Sequence, residues 1–221
     1  MNWPARQASH IARFYDDTTP LEWTYLRLRP FVVDFEFIRN TIGRRTRILD
    51  VACGYGQLCL YLASMNPQAR PVGLDIDARR ILKAQEAADN GRLPARFSVA
   101  DAGRPLPSGF EAVLLVDGLH LISGSQQEQA LANCFSALRP GGKLVLRESI
   151  KDSSWRFRCG ALHEWLMTRL GWTCAAGLEF LDRERIGRLL RGAGFSRIEQ
   201  VPVRGFHPYP DIFFICRRDG D

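Results

Sequence analysis

The chain has 221 residues, enough for one α/β domain of ordinary size and too short for two comfortable ones. It is 46% hydrophobic and 24% charged, a composition that supports a packed core and excludes a disordered tail. Lysine plus arginine exceeds aspartate plus glutamate, 30 against 24, and only Lys83, Lys143 and Lys151 of the 30 are lysine. A surplus of +6 is compatible with an acidic partner or nucleic acid, so its distribution matters. The longest apolar runs, such as Ala112 to Val116, stop far short of the about 20 residues a membrane span requires. The N-terminus has no basic start followed by an apolar stretch, which sets the expectation of a cytoplasmic protein without a secretory signal.

The elements follow in order. Ala5 to Tyr15 reads as a helix ending in the turn cluster Asp16 to Pro20. Pro20 to Arg29 and Phe31 to Ile42 read as further helices, broken at Pro30 and closed by Gly43. These first residues are rich in rings, among them Phe14, Tyr15, Trp23, Tyr25 and Phe35, which need something to cover. From residue 47 short apolar runs alternate with helices. Strands are expected at Arg47–Val51, Pro71–Leu74, Ala95–Ala100, Ala112–Val116 and Lys143–Arg147. Leu58, Tyr61, Leu62 and Met65 share one helix face between the first two. Asp77 caps the next helix, which stops at Gly91. A helix carrying Leu131, Cys134, Phe135 and Leu138 is expected to end at Pro140-Gly141-Gly142. Asp182 caps a last helix with Ile186, Leu189 and Leu190 inward. Phe195–Val201 and Ile212–Cys216 leave no room for a helix between them, so they form an antiparallel hairpin.

This alternation predicts an α/β, doubly wound, mostly parallel seven-stranded sheet with an antiparallel edge hairpin and a helical N-terminal cap. The expected division is a single domain: a cap over 1–43, a cofactor-binding core over 44–148, a helical lid over 149–181, and the end of the sheet over 182–221. The six cysteines lack any CxxC pairing and read as reduced, buried thiols. The four scattered histidines assemble no metal site.

The segment Asp50-Val51-Ala52-Cys53-Gly54-Tyr55-Gly56 is a strand, a tight glycine loop and the start of a helix. Glycine at 54 and 56 admits unusual backbone angles and close approach of a ligand, and the following helix N-terminus offers N–H groups. Asp75 lies nineteen residues past Gly56, at the carboxyl end of the adjacent strand, where a carboxylate suits the two hydroxyls of a ribose. A dinucleotide is disfavoured because Cys59 stands where the third glycine of GxGxxG would be. Asp50 is a charge inside an apolar strand, expensive unless bonded to the glycine loop or to a ligand's amine.

The pattern Asp50-x-x-x-Gly54-x-Gly56 resembles motif I of the class I S-adenosylmethionine-dependent methyltransferases, in its small stand-alone bacterial form. Asp75, with Ile76 beside it, falls at that family's ribose-binding acid. Asp101 and Ala102 fall where the family meets the adenine edge. Asp117-Gly118-Leu119-His120 holds the motif IV position, and Leu138 to Lys143 looks like the turn before strand five. The resemblance covers about residues 45 to 150 closely and implies S-adenosylmethionine as cofactor, with Asp50, Cys53, Gly54, Gly56, Asp75, Ile76, Asp101, Ala102 and Asp117 around it. It implies methyl transfer to a small, apolar or aromatic acceptor. Such a transfer depends on alignment and exclusion of water, and an acceptor hydroxyl needs a base. His120 and Glu148 are the candidates. Tyr15, Trp23 and Tyr25 from the cap, with Trp155 and Arg156 from the lid, are the candidate acceptor contacts. The segment Arg147 to Arg158 also resembles stand-alone methyltransferases of bacterial lipid and aromatic-polyene pathways.

The alternatives are an RNA or protein methyltransferase and a non-catalytic member of the fold. The first lacks the Asn/Asp-Pro-Pro-aromatic motif of base-amine enzymes, so no nucleic-acid partner is expected. Against the second stand Asp50 and Asp75, which a scaffold has no need to keep. The arginines interleave with acids, as in Asp182 to Arg191, and form no basic stripe.

Overall fold

A proline inside a helix removes one backbone donor, and the way this chain absorbs that loss shapes its first half. The computed structural model describes residues 3–169, 177–203 and 209–220. After α1 (Trp3–Ala12), α2 runs without a break over Pro20–Val32 with Pro30 inside it. Pro30 cannot donate to the Leu26 carbonyl, yet that carbonyl accepts from the Gln57 side-chain amide at 2.7 Å. The expected break at Pro30 therefore falls later, at Val33 and Asp34, where Asp34 caps α3 (Phe35–Ile42) through the Phe37 N–H. The N-terminus of α2 carries a capping box: Thr19 accepts from the Glu22 N–H, and Glu22 accepts from the Thr19 N–H.

The chain divides into two compact units, residues 1–100 and 101–221. In the first, β1 (Arg47–Val51), β2 (Arg70–Asp75) and β3 (Arg96–Val99) are parallel, with β2 between the other two. α4 (Gln57–Met65) and α5 (Ala78–Asn90) connect them. Residues 57 to 63 of α4 are all buried, so this helix is covered all round rather than along the one face its periodicity suggests, and Met65 is exposed. Asp77 caps α5 as expected, accepting from the N–H groups of Arg79 and Arg80. Phe14 and Tyr15, just past α1, pack into a core built by Cys59, Leu60, Ile81, Ala84 and Phe97. Phe14 and Tyr15 thus cover α4 and α5. Burying Phe14 alone contributes about 2 kcal/mol.

In the second unit, β4 (Phe110–Val116) and β5 (Leu138–Ser149) are parallel, while β7 (Asp211–Arg217) runs antiparallel to β5 and to β6 (Arg197–Pro202). The strand order is β3-β2-β1-β4-β5-β7-β6, the mostly parallel seven-stranded, Rossmann-like sheet with an antiparallel edge that the alternation predicts. α6 (Gly124–Ala137) ends one residue before Leu138, which is strand and not helix. Pro140 to Gly142 lie within β5, where the pairing with β4 shifts register between Phe110 and Ala112, so the glycines shape a strand irregularity rather than a helix stop. α7 (Trp155–Arg169) and α8 (Arg183–Gly192) complete the unit. Cys59, Cys134 and Cys216 are buried as expected and Cys53 is partly buried, but Cys159 is exposed on α7. Cys174, His207, part of the expected lid and part of the connection between β6 and β7 lie outside the described residues. Among the described residues, no helix is long and apolar enough to cross a membrane.

Candidate active site

Strand β1 delivers Asp50 into a loop whose alternate residues are left-handed: Ala52 at φ 59°, Gly54 at 56° and Gly56 at 75°. The two glycines have different reasons. A Cβ at Gly56 would lie 2.5 Å from the Phe97 ring and 2.9 Å from the Ala84 methyl, so this glycine lets α4 begin against α5 and β3. A Cβ at Gly54 would have only Arg80 within reach, at 3.7 Å, so this glycine serves the backbone turn and leaves its outer side open. Gly73 on β2 works like Gly56, since a Cβ there would meet Phe97 and the Cys53 sulfur. Ala52 adopts the left-handed state despite its Cβ, a local strain of about 1 kcal/mol that its residue type does not announce.

Asp75 is held by this loop. Its Oδ2 accepts from the Gly54 N–H at 2.7 Å and its Oδ1 from the Asp77 N–H at 2.9 Å. One acceptor position per oxygen remains for a ligand diol. Ile76 follows, 57% exposed. Asp50 is 3% exposed and accepts a hydrogen bond from the Cys59 thiol at 3.5 Å. Burial, helped by the Asp75 charge, pushes its carboxyl up to about 7, against the opposing pull of the Cys59 thiol and Arg29. A buried acid so short of compensation is a natural partner for a ligand cation. Cys53 holds its place through its backbone: its N–H donates to the Leu74 carbonyl and its carbonyl accepts from the Gly56 N–H, both at 2.9 Å.

The cap reaches the same loop. The Tyr15 hydroxyl donates to the Tyr55 carbonyl at 2.6 Å, and the Tyr25 and Tyr55 rings lie 5.7 Å apart. The Tyr55 hydroxyl donates to Glu22, which also accepts from Lys83 at 3.2 Å. Two of the three expected cap aromatics are therefore gathered on the glycine loop. Trp23 is not: it is half exposed, with the Arg27 guanidinium 4.7 Å over its ring.

The second unit holds a different cluster. Asp117, at φ 55°, turns the chain out of β4 into a single 3₁₀ turn, Leu119–Leu121, that carries His120. Glu148 on β5 lies behind this turn, accepting from the Leu119 N–H at 2.6 Å and facing His120 Nδ1 at 2.7 Å. With Nδ1–H donating to the carboxylate, the neutral ring carries its lone pair on Nε2. Burial lowers the affinity of this imidazole for a proton, but Glu148, with Glu164 and Asp117 behind it, outweighs burial and raises its pKa to about 9. Phe180 stacks on the imidazole at 4.8 Å and 9°, and Phe157 of α7 meets Phe180 edge-on at 5.3 Å. The Glu179 N–H donates to the His120 carbonyl at 2.9 Å.

The carboxylate of Asp117 is held by Arg147, which also holds Asp211; Arg147 is 1% exposed, and Ser149 donates to Asp211. The sequence reading of Asp117 as a cofactor contact did not foresee this partner. Asp101 closes a local turn, accepting from the Gly103 N–H at 2.8 Å, and the Ala102 carbonyl accepts from Asn133 at 2.9 Å. On α7, Trp155 is 66% exposed and Arg156 donates to the Tyr209 carbonyl. Sequence reasoning missed Arg147, Asp211, Phe180 and Glu22. Arg147 left a signal, a charge closing the apolar run Leu144–Leu146, and Glu22 left another as the last residue of the Thr19-x-x-Glu22 capping pattern.

Residues 48–142 match the family described as "Methyltransferase domain". A demethylmenaquinone methyltransferase of Deinococcus radiodurans is 31% identical over 164 residues, covering 67% of each chain. One from Thermus thermophilus is 38% identical over 129 residues, 55% of this chain and 58% of the relative. The solved structure of an O-methyltransferase family protein from Burkholderia thailandensis superposes with a TM-score of 0.71 at 17% identity, over 90% of this chain and 58% of that one. The chain belongs to the class I S-adenosylmethionine-dependent methyltransferases. The match to the Thermus relative spans less than two thirds of that protein's length.

The cofactor of this methyltransferase family is S-adenosylmethionine, and the residues present fit it. A loop opened by Gly54, a doubly oriented carboxylate at Asp75 and a charge-deficient buried acid at Asp50 match a ligand that carries a ribose and an ammonium group. Among the described residues, no cluster of three or more histidine, cysteine or acidic side chains is placed to hold a metal ion.

Proposed function

We propose that this methyltransferase transfers a methyl group to a small hydroxylated aromatic ring of the quinol type, with His120 as the base and Glu148 as its positioning residue. The observation that carries the reading is the buried His120–Glu148 pair, Nδ1 to Oε2 at 2.7 Å, at the end of β4. The demethylmenaquinone substrate in the relatives' names supports the acceptor class.

When bound, S-adenosylmethionine supplies an electrophilic methyl carbon on a sulfonium. Asp75 would hold its ribose and Asp50 its ammonium group. His120 Nε2 takes the proton of an acceptor hydroxyl; the oxygen left charged, or a ring carbon that shares its charge and afterwards gives up its own hydrogen as a proton, then serves as nucleophile, with the sulfonium sulfur as leaving group. Glu148 stabilises the imidazolium that forms and fixes the tautomer that leaves Nε2 free to accept. The stacked Phe180 keeps the imidazole from turning and keeps water off one of its faces. The arginine surplus adds no argument for nucleic acid, since Arg39, Arg139 and Arg188 each pair with a nearby glutamate.

The test is release of S-adenosylhomocysteine with a panel of acceptors under reducing conditions. Demethylated naphthoquinols and related phenols are expected to turn over. Turnover on RNA or peptide alone, with none on any aromatic hydroxyl, would refute the reading.

A further inference from the structure

Helix α7 is built inside out. Its inward side carries Gly160, packed so closely on Tyr209 that a Cβ there would come within 2.4 Å of the ring, together with Phe157 against Phe180 and the polar Glu164 and Thr168. Its outward side carries Trp155, Leu162, Trp165 and Leu166, at 66, 64, 46 and 44% exposure. At 100° per residue these four fall within one stripe, and the exposed Arg158 and Arg169 fall in the same stripe. The Arg169 guanidinium sits 5.0 Å over the Trp165 ring. Glu164, the helix's one acid, lies on the other side. A solvated helix carries the reverse arrangement.

We propose that the outward face of α7 docks on an anionic lipid bilayer. Tryptophan and leucine flanked by arginine is the chemistry of a helix that lies in a membrane interface, with rings at headgroup depth and guanidinium groups on lipid phosphates. The helix is about 22 Å long, too short to cross the roughly 30 Å hydrocarbon layer, so it lies along the surface. A second copy of this chain is the weaker occupant on charge grounds. Two-fold docking through this face would bring four arginines together with no carboxylate in the stripe to offset them. The proposal does not depend on the acceptor reading.

The test is flotation with phosphatidylcholine vesicles, with and without about a quarter of phosphatidylglycerol. The wild type should float with the anionic vesicles, bind the neutral ones far less, and be released by salt. The double variant Leu162→Glu/Trp165→Glu should bind anionic vesicles at least about tenfold more weakly while keeping the wild-type circular dichroism and affinity for S-adenosylhomocysteine. Should that variant fail to fold, brominated acyl chains give an independent readout, because they should quench the wild-type tryptophan fluorescence. The proposal is overturned if the wild type ignores anionic vesicles, if brominated lipid leaves its fluorescence unchanged, or if the folded variant binds as well as the wild type. It is equally overturned if the wild type forms a dimer that the double variant dissociates and does not float.

Discussion

Replacing Glu148 by Gln removes the charge beside His120 while keeping the side chain's size. Burial, which lowers the imidazole's pKa, is then unopposed by its nearest carboxylate, so the value should fall from about 9 to 6.5 or below. That difference corresponds to about 3 kcal/mol. In the wild type the base is neutral in only about one molecule in a hundred at pH 7, so kcat/KM should climb roughly tenfold per pH unit and level off near pH 9. In the variant the inflection should move to the acid side of neutrality. The plateau should also drop about a hundredfold or more, because the glutamine amide donates to Nδ1 and moves the imidazole proton to Nε2, the atom that must accept. Stability gives a second readout. A histidine whose pKa is raised by folding stabilises the protein fully below about 6.5 and loses that contribution as pH rises through about 9. Melting temperature should therefore fall over this window in the wild type and stay flat in Glu148→Gln. A rate profile that still turns near pH 9 in the variant would refute the assignment of His120 as the titrating base.

Asp75→Ala should weaken S-adenosylhomocysteine binding by about a hundredfold in calorimetry, the loss of two hydrogen bonds to a carboxylate; unchanged affinity would remove Asp75 from the cofactor site. Binding of the same ligand should release a proton near pH 6 and tighten as pH rises through about 7, because Asp50 must ionise to meet the ammonium group; calorimetry in buffers of different ionisation enthalpy counts that proton. The ligand-free protein should show the opposite trend, losing stability between about pH 4 and 7, where Asp50 of the unfolded chain is ionised while the buried carboxyl still holds its proton. Gly56→Ala forces a methyl against Phe97 in a left-handed position and should cost about 3 kcal/mol, seen as a melting point about 6 to 12 °C lower. Arg147→Met takes the shared guanidinium away from the partly buried Asp117 and the buried Asp211 and should destabilise the protein by about 3 kcal/mol in urea unfolding.

Strand β4 and the middle of β5 were legible because burial on both faces writes an unbroken apolar run, and many of the loops begin or end with a glycine, proline or capping residue. Asp77 capping α5 and Asp182 capping α8 are read straight from residue type. What the sequence misplaced has a common cause, long-range compensation. Pro30 stays within a helix because Gln57 supplies the missing donor to the Leu26 carbonyl, 31 residues before it in sequence. Leu138 fits a helical face by spacing, yet it is claimed by pairing with Phe110. In the candidate site, Asp50, Gly54 and Gly56 lie close together in sequence, so the geometry of their loop was legible from residue type. The Arg147 partners are 30 and 64 residues away, and the Phe180 ring on His120 follows a segment with no periodic signal. That Trp155, Leu162, Trp165 and Leu166 face outward on α7 was not legible, because hydrophobic pattern states what a helix prefers, not which side a tertiary contact selects.

Single-turnover transfer of a deuterated methyl group from S-adenosylmethionine to a demethylated naphthoquinol, followed by mass spectrometry, tests the central claim most directly. The wild type should yield the trideuteromethylated product, and His120→Ala should bind S-adenosylhomocysteine normally while forming product at least about a hundredfold more slowly. Equal rates from the two proteins, or cofactor binding with no labelled product from any aromatic hydroxyl, would contradict it.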